Sequence, residues 1–396
     1  MKLRRCAILL IEPREKLAFD LDSLLNGGDG LDASIQLLAL APHLDVEVPV
    51  SAVEVAMLNT LTAAPWHDFE TLGARHGREL LRSLLAKGLL IGDDDAHAAV
   101  RARDDRLRAA NWHTHSAVSH YFGRWRGITS GEDALNAGLC TMSELFERLG
   151  PPPPHVLNRV PAAERIALPE IDATPLDEIL ARRATCRNYD PAAFVGKSTF
   201  SHLLRRVFGA QAAYEIHAAN VVIKRTSPSG GGLHPTEAYL LIQRVEGVAP
   251  GLYHYHPIDH ALEPLPPPAD GDLKALARIM VAAQKYYVDV PVMIVLVSRF
   301  PRTFWKYRNH TKAYRATILD AGHLSQTLYI SATEFGLGAF ITAAINEADI
   351  ELAFGLDPLC ESPLAVCGFG LRGAECETYE FDPNRKVWPD GVPAPA

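Results

Sequence analysis

The chain has 396 residues, of which 48% are hydrophobic and 22% are charged, a globular balance that excludes a coiled coil, a collagen or a wholly disordered chain. Its 39 lysines and arginines against 47 aspartates and glutamates give a net charge of −8, which argues against a nucleic-acid partner. The six cysteines include no C-x-x-C pair, so a reducing, cytoplasmic location is expected.

The first apolar run of the chain predicts a strand rather than a targeting segment. It stops after six residues, at Glu12 and Pro13, whereas a signal peptide needs about 7–15 apolar residues. No run approaches the roughly 18 apolar residues of a membrane span, so we expect a soluble protein without a membrane partner.

Residues 1–150 are expected to form a smaller N-terminal domain. Between Val50 and Asp93, apolar residues at helical spacing form three groups, and a short apolar run follows them. Three short helices and a strand are typical of a winged helix. Because aspartates at 93–95 follow the last helix, peptide docking or a purely structural role is favoured over DNA binding.

Four consecutive prolines, 151–154, mark the boundary between two parts of the chain. Proline cannot donate a backbone hydrogen bond and favours polyproline II, which acts as a stiff spacer. The sequence therefore predicts a proline-rich linker over 151–173 and a second domain over 174–396.

The second domain is expected to mix helices and strands without a strict βαβ repeat, which indicates the α+β class. Thr174 and Asp177 have the spacing of a capping box, and the helix that follows is expected to bury a stripe of Leu176, Ile179 and Leu180. A continuous apolar run over 290–297 predicts a central strand. Further helices are expected near 200–208, 317–335 and 347–354, further strands near 239–245 and 364–369, and a hairpin over 252–265.

Three segments contain residues that could do chemistry, and the first surrounds Thr185. Arg183 and Arg187 flank this hydroxyl, and two guanidinium groups with one neutral donor suit a phosphate. A solvated basic helix end explains the same residues, and this segment alone favours that simpler interpretation.

The second segment, 226–237, contains three consecutive glycines, which allow a backbone to approach a ligand closely. It matches neither the dinucleotide fingerprint nor a P-loop, so a flexible hairpin loop is an equally good interpretation. The third segment places Lys306 beside Tyr307, a pair that could accept a proton if the lysine is desolvated or the two groups are coupled, although most such lysines are solvated.

Two groups of histidines are better explained by packing or surface roles than by metal binding. His113, His115 and His120 lie close in sequence, and His254 and His256 alternate along one predicted strand. Acidic or thiolate partners at matching spacing are missing, so no metal site is expected.

Taken in order, these segments resemble the nitroreductase superfamily of flavin enzymes, and within it the SagB-type and thiazole/oxazole-forming peptide dehydrogenases. The resemblance extends from about Leu176 to Arg372. Its motifs are Arg183-x-Thr185-x-Arg187-x-Tyr189, the segment Pro228 to Leu240, the hairpin Gly251-Leu252-Tyr253-His254-Tyr255, Lys306-Tyr307, the helix Asp320 to Gln326, and Gly336-Leu337-Gly338.

The resemblance implies an FMN-binding fold in which helices flank a central, mainly antiparallel sheet, preceded here by the winged-helix-like domain. It also implies a homodimer with flavin sites at the subunit interface. By resemblance, the cofactor-binding residues are Arg183, Thr185 and Arg187 for the phosphate, with Arg372 as a helper; Pro228, Ser229 and Gly230 along the isoalloxazine ring; and Ala343 and Ala344 near flavin N5.

Lys306 and Tyr307 fall where the resembled branch has its catalytic Lys-Tyr pair, and either residue could be the base. The implied oxidoreductase activity is oxidation of thiazoline or oxazoline rings to thiazole or oxazole on a ribosomally synthesised peptide. The N-terminal domain would then dock the precursor peptide or a partner cyclodehydratase.

Two alternatives remain open: an NAD(P)H-dependent nitro or quinone reductase of the same superfamily, and a non-catalytic winged-helix regulator with a flavin-sensing domain. The regulator predicts nucleic-acid binding, which the net charge of −8 disfavours.

Overall fold

The structure is a computed structural model that describes residues 1–139, 141–218 and 220–391, with the side chain of Met142 left out. Cys140 lies outside the described residues. The chain divides into two compact units. The first unit comprises Met1–Arg124, Arg299–Arg315 and Asp357–Glu361, and the second comprises Trp125–Ser298, Ala316–Leu356 and Ser362–Ala396. The predicted domains 1–150 and 174–396 are continuous in sequence, whereas these units are discontinuous.

The described part of the chain contains strands in both units. They are β1 Lys2–Arg5, β2 Leu10–Phe19, β3 Leu31–Leu40, β4 Glu47–Val50, β5 His67–Asp68, β6 Leu90–Gly92, β7 Ala212–His217, β8 Asn220–Lys224, β9 Thr236–Ile242, β10 Gly251–His256, β11 Ala261–Pro264, β12 Val292–Arg299, β13 Gly338–Thr342 and β14 Glu361–Gly370.

The α-helices of the described residues alternate irregularly with these strands. They are α1 Leu21–Leu25, α2 Ala52–Leu58, α3 Phe69–His76, α4 Arg78–Ala86, α5 Ala98–Ala109, α6 Thr114–Gly123, α7 Ser130–Asn136, α8 Met142–Leu149, α9 Pro175–Arg182, α10 Lys197–Val207, α11 Leu273–Met280, α12 Lys285–Val288, α13 Phe300–Lys306, α14 Ala313–Glu334 and α15 Glu347–Phe354. Among the described residues, no helix combines the length and the apolar character needed to cross a bilayer.

The first unit contains the three helices and the strand that the sequence predicts between Val50 and Asp93, namely α2, α3, α4 and β6. α4 ends at Ala86 with Lys87 as its C-cap, and Gly88 follows in the left-handed region at φ +70°. Strands β5, β1 and β6 form an antiparallel sheet in that order, which is compatible with a winged-helix-like domain. A second sheet, β2-β3-β4, was not predicted.

The second unit is built on a six-stranded sheet of order β11-β10-β9-β12-β14-β13. The pairs β11–β10, β10–β9, β9–β12 and β13–β14 are antiparallel. Strand β12 is central, as its continuous apolar run predicts, and its side chains alternate between two cores. Val292, Ile294 and Leu296 pack with α10 and α14, and Met293, Val295 and Val297 pack with α11, α12 and α15. The predicted α+β class, with helices flanking a mainly antiparallel sheet, is confirmed.

Helix α9 begins as predicted, but its predicted buried stripe is wrong. The Thr174 side chain accepts from the Asp177 amide, and the Asp177 carboxylate accepts from the Thr174 amide, which completes the capping box. The helix has no buried residue: Leu176 is 54% exposed and Leu180 is 39% exposed. Ile179, the third residue of the predicted stripe, is partly buried, whereas Leu176 and Leu180 are exposed.

Candidate active site

The predicted phosphate ligands lie on one side of a short extended segment beside β13. The amide of Cys186 donates to the carbonyl of Ala339 at 2.9 Å, and Thr185 forms a parallel bridge with Ala339. Side chains alternate along this segment because extended backbone has a period of two. Ala184, Cys186 and Asn188 are buried, whereas Arg183, Thr185 and Arg187 are partly exposed.

Both guanidinium groups of this segment carry charge that no described carboxylate balances. The Arg183 guanidinium lies over the Tyr329 ring, 5.5 Å from its centroid, and Arg187 lies 5.7 Å from the centroid of Tyr286. Arg187 also donates from Nη1 to the Tyr379 carbonyl at 3.2 Å. Two positive groups without carboxylate partners in the described residues favour an anion beside them.

The hydroxyl between these arginines is already positioned. Thr185 Oγ1 lies 3.0 Å from the hydroxyl of Tyr329, and either atom can donate. Burial raises the pKa of Tyr329, so this phenol stays protonated and can donate to Thr185. Thr185 then keeps its own hydroxyl proton for a ligand oxygen.

A carboxylate that the sequence analysis missed holds this segment in place. Glu380 is fully buried, and its Oε1 accepts from the amides of Arg187 at 2.5 Å and Asn188 at 3.0 Å. Its Oε2 accepts from the guanidinium of Arg372 and from Trp388 Nε1. No local sequence signal identifies Glu380, because its partners in the segment lie about 190 residues earlier.

Arg372 lies beside the same segment, but its charge is already balanced. Besides its ion pair with Glu380, it donates from Nη2 to the Ala184 carbonyl at 3.0 Å. These contacts make Arg372 a brace for the extended segment, and its part in phosphate binding stays a prediction.

The glycine-rich loop is anchored to α14 through one carboxylate. Ser229 Oγ donates to Asp320 Oδ2 at 2.6 Å, and the Gly230 amide donates to Asp320 Oδ1 at 3.0 Å. Burial raises the pKa of Asp320, although both of these hydrogen bonds oppose the shift. Gly231 and Gly232 both have positive φ, at 67° and 69°, which favours glycine at these two positions.

Pro228 and Ser229 line a small cleft of the second unit together with Arg225, Ser227, His234 and Asp320. An ideal Cβ placed on Gly230 would lie 3.0 Å from the Cβ of Ala316, so the loop backbone packs closely against the start of α14. The described contacts therefore tie this loop to α14.

Ala343 and Ala344 follow β13 in a segment that Gln284 holds. Gln284 Nε2 donates to the Ala344 carbonyl at 2.8 Å, and the Ala344 amide donates to Thr342 Oγ1 at 3.2 Å. Ala343 is exposed, and within the described residues its amide makes no hydrogen bond. That amide is available to an acceptor such as a ring nitrogen.

Lys306 and Tyr307 lie at the end of α13, in the first unit, whereas the nine predicted cofactor residues all lie in the second. Lys306 is exposed, and its Nζ lies 5.5 Å from the centroid of the Tyr307 ring. Each side chain is therefore close enough to influence the other.

The histidines singled out by the sequence have packing and hydrogen-bonding roles. His120 stacks on Trp112 with ring centroids 5.5 Å apart, its Nδ1 lies 3.0 Å from the Tyr314 hydroxyl, and burial lowers its pKa to about 3. His254 lies between Glu237 and Glu263. Among the described residues, no group of three or more His, Cys, Asp or Glu side chains could hold a metal ion.

Comparison with known proteins gives a family match and three relatives of moderate identity. Residues 180–371 match the family model described as Nitroreductase family. MJ1384 of Methanocaldococcus jannaschii, a protein with a nitroreductase name, is 26% identical over 185 residues, which is 47% of this chain and 86% of that protein.

The other two relatives are named as processing proteins. The trifolitoxin-processing protein TfxB of Rhizobium leguminosarum bv. trifolii is 28% identical over 153 residues, covering 38% of this chain and 40% of TfxB. The microcin B17-processing protein McbC of Escherichia coli is 29% identical over 153 residues, covering 37% of this chain and 54% of McbC. The chain thus matches about half or less of the length of each processing protein.

Proposed function

Residues 180–371 form a domain of the nitroreductase family, and on that premise we propose that the protein is an FMN-dependent dehydrogenase. Its substrate would be a thiazoline or oxazoline ring on a ribosomally synthesised precursor peptide, which it converts to thiazole or oxazole during maturation. The predicted superfamily is confirmed, and TfxB and McbC support its SagB-type branch.

The observation that carries the cofactor proposal is the arrangement of Arg183, Thr185 and Arg187. The two guanidinium groups lack carboxylate partners in the described part of the chain, and a positioned hydroxyl lies between them. This donor set fits a phosphate monoester such as that of FMN, because guanidinium groups bind phosphate oxygens in a bidentate manner.

The rest of the proposed flavin site lies in the same unit. Ser229 and Gly230, held by Asp320, would lie along the isoalloxazine ring together with Pro228. The amide of Ala343, an exposed residue beside Ala344, would donate to the ring near N5. When bound, FMN would supply the hydride acceptor that ring oxidation requires.

The proton that leaves the azoline ring needs an acceptor, which we assign to Lys306 or Tyr307. Aromatisation removes two hydrogens, one as hydride and one as a proton, so a base must be within reach of the ring carbon. Lys306 is exposed and adjacent to the Tyr307 ring, so the pair is accessible to a substrate. In this proposal, one side chain takes the proton and the other orients or assists it.

A peptide substrate is favoured by the names of two relatives. TfxB is named as processing trifolitoxin and McbC as processing microcin B17, and each is similar to this chain over 153 residues. The N-terminal helices and sheets of the first unit would then hold the precursor peptide or a partner cyclodehydratase.

A homodimer is supported by apolar surface that the second unit leaves open. Leu176 and Leu180 of α9 are exposed, and so are Ile166, Leu168 and Ile171 in the preceding segment, at 91%, 86% and 85%. Exposed apolar side chains of this kind are typical of subunit interfaces. We therefore propose that a second copy covers α9 and the segment before it.

A reducing compartment suits the cysteines. Cys6, Cys186, Cys360, Cys367 and Cys376, the cysteines that the structure describes, are all free thiols. We propose that the enzyme works in the cytoplasm, where such thiols persist.

The main alternative is an NAD(P)H-dependent nitro or quinone reductase, which the match to most of MJ1384 favours. One experiment separates the two functions. The purified protein is loaded with FMN and given an azoline-containing peptide, and mass spectrometry follows the peptide. Loss of two hydrogens per ring supports the dehydrogenase, whereas NAD(P)H-driven nitro reduction without peptide oxidation supports the reductase. A protein that cannot be loaded with FMN contradicts both.

A further inference from the structure

The hairpin of β2 and β3 has one apolar face and one polar face. In its register Phe19 pairs with Leu31, Leu17 with Ala33 and Glu15 with Ile35. Directly paired residues of antiparallel strands share a face, so these side chains lie together. The other face contains polar pairs, such as Lys16 with Ser34 and Arg14 with Gln36.

This apolar face is exposed to solvent in its outer half. Leu17 is 62% exposed, Phe19 70%, Leu31 52% and Ile35 72%. Helix α1 extends the surface, because a Cβ placed on Gly30 would lie within 3.5 Å of both Leu24 and Phe19. We call these five residues, Leu17, Phe19, Leu24, Leu31 and Ile35, the hairpin face. A contiguous apolar surface of this kind is a docking signal.

The charges on the hairpin face and at its tip are negative, whereas the two cations of β2, Arg14 and Lys16, lie on the opposite face of the strand. The 58 residues from 17 to 74 contain nine aspartates and glutamates and no lysine or arginine. Asp20, Asp22 and Asp29 lie at the tip of the hairpin, and Glu15 lies on the face itself. Among the described residues, none of these four carboxylates forms an ion pair.

We propose that the hairpin face docks a basic amphipathic segment of the precursor peptide, with apolar anchors against Leu17, Phe19 and Ile35 and lysine or arginine beside the tip carboxylates. We infer a basic partner from charge complementarity. An apolar surface that is bordered by carboxylates favours a partner with positively charged side chains. This inference rests on the proposed function for the identity of that partner as a substrate peptide.

Two other occupants fit the hairpin face less well. A second copy of the chain would bring the same uncompensated carboxylates together, which costs free energy. Addition of a strand along β2 is disfavoured because Pro13 and the charged residues Glu12, Arg14 and Lys16 occupy that edge.

The test compares two labelled synthetic amphipathic peptides that share leucine anchors and carry either lysines or glutamates. Fluorescence anisotropy with the full-length protein should show the lysine peptide binding about tenfold more tightly than the glutamate peptide, with affinity falling as salt rises. The triple variant Leu17→Ser, Phe19→Ser and Ile35→Ser should lose this binding. The matched control Ala18→Ser, Ser34→Ala and Gln36→Ser alters the opposite face and should keep it.

Charge is tested separately with Glu15→Gln, Asp22→Asn and Asp29→Asn combined, which should abolish the preference for lysine while leaving some apolar binding. Equal binding of both peptides by the native protein, or unchanged binding by the serine variant, overturns the inference. It is also overturned if the serine variant changes the oligomeric state in sedimentation, because a second copy then occupies the face.

Failure of this inference is distinguishable from failure of the proposed function. Azoline oxidation by the native protein, with both probe peptides bound equally, rejects the hairpin face alone. Selective lysine-peptide binding without any azoline oxidation rejects the proposed function alone.

Discussion

The carboxylate of Glu380 accepts hydrogen bonds from the backbone amides of Arg187 and Asn188, at 2.5 and 3.0 Å, and so fixes the direction of the Arg187 side chain. Every other described contact of this carboxylate is also a donor: Asn188 Nδ2, the Arg372 guanidinium and Trp388 Nε1. A buried group surrounded only by donors must be an acceptor at both oxygens.

Replacing Glu380 with glutamine should therefore weaken FMN binding. In either orientation of the glutamine side chain, its amide nitrogen faces a hydrogen-bond donor, so at least one hydrogen bond is lost. A lost hydrogen bond to a charged group costs about 1.5–3 kcal/mol, which corresponds to a roughly 10- to 100-fold increase in the Kd for FMN. Flavin fluorescence titration measures the change. Glu377→Gln, an exposed neighbour in the same tail, is the control and should bind FMN normally. Equal affinities for the two variants would show that Glu380 does not position the segment.

The phosphate assignment predicts a difference between two flavins. Arg183→Ala and Arg187→Ala should each weaken FMN binding by about tenfold or more, because each removes a charge-assisted contact to phosphate. Riboflavin lacks the phosphate, so its weaker binding should be unchanged. Arg182→Ala, an exposed arginine at the end of α9, serves as the control. A parallel loss of FMN and riboflavin affinity would contradict a phosphate role.

The features that the sequence predicts correctly depend on interactions between residues that are close together in the chain. The capping box of Thr174 and the alternation of Arg183, Thr185 and Arg187 depend on neighbours within a few residues, so their pattern is visible in the sequence. The burial of β12 on both faces was likewise readable from its unbroken apolar run.

The features that the sequence analysis missed depend on contacts between residues far apart in the chain or on surfaces that a local pattern does not describe. The stripe of α9 is apolar at helical spacing, but spacing alone does not say whether another part of the chain covers it. Glu380 contacts a segment far away in sequence, and a single buried carboxylate has no spacing to reveal it. The exposed hairpin of β2 and β3 was missed because Pro13 and scattered charges interrupt its alternation.

The proposed base predicts loss of turnover without loss of flavin. Tyr307→Phe and Lys306→Met should both lower the rate of azoline oxidation, and the variant that removes the base should lower it by roughly 10²- to 10⁴-fold, the usual contribution of a general base. The bound flavin spectrum should stay unchanged. Arg308→Ala is the control, because this exposed side chain donates only to the Trp305 carbonyl at 3.1 Å among the described residues. The variant with the larger loss identifies the base, and full turnover in both would remove the pair from the mechanism.

His254 gives the second unit a stability that depends on pH. Burial opposes its protonation, but hydrogen bonds to Glu237 at 2.8 Å and Glu263 at 2.6 Å outweigh burial and raise the pKa of His254 above its usual 6.5. The folded state therefore binds the proton more tightly than the unfolded state. This stabilisation is fully present below pH 6.5 and is lost as the pH rises through the raised pKa.

Replacing His254 with glutamine should thus lower Tm more at acidic than at alkaline pH. We expect the native protein to exceed the variant by about 2–4 °C near pH 5.5, which corresponds to about 1 kcal/mol, and by much less near pH 9. His256→Gln is the control: it lies on the same strand, and its partner Asp259 is largely exposed, so its effect should be small at both pH values. A difference in Tm that is the same at both pH values would mean that His254 acts through packing with Tyr239, whose ring lies 4.8 Å away, rather than through its charge.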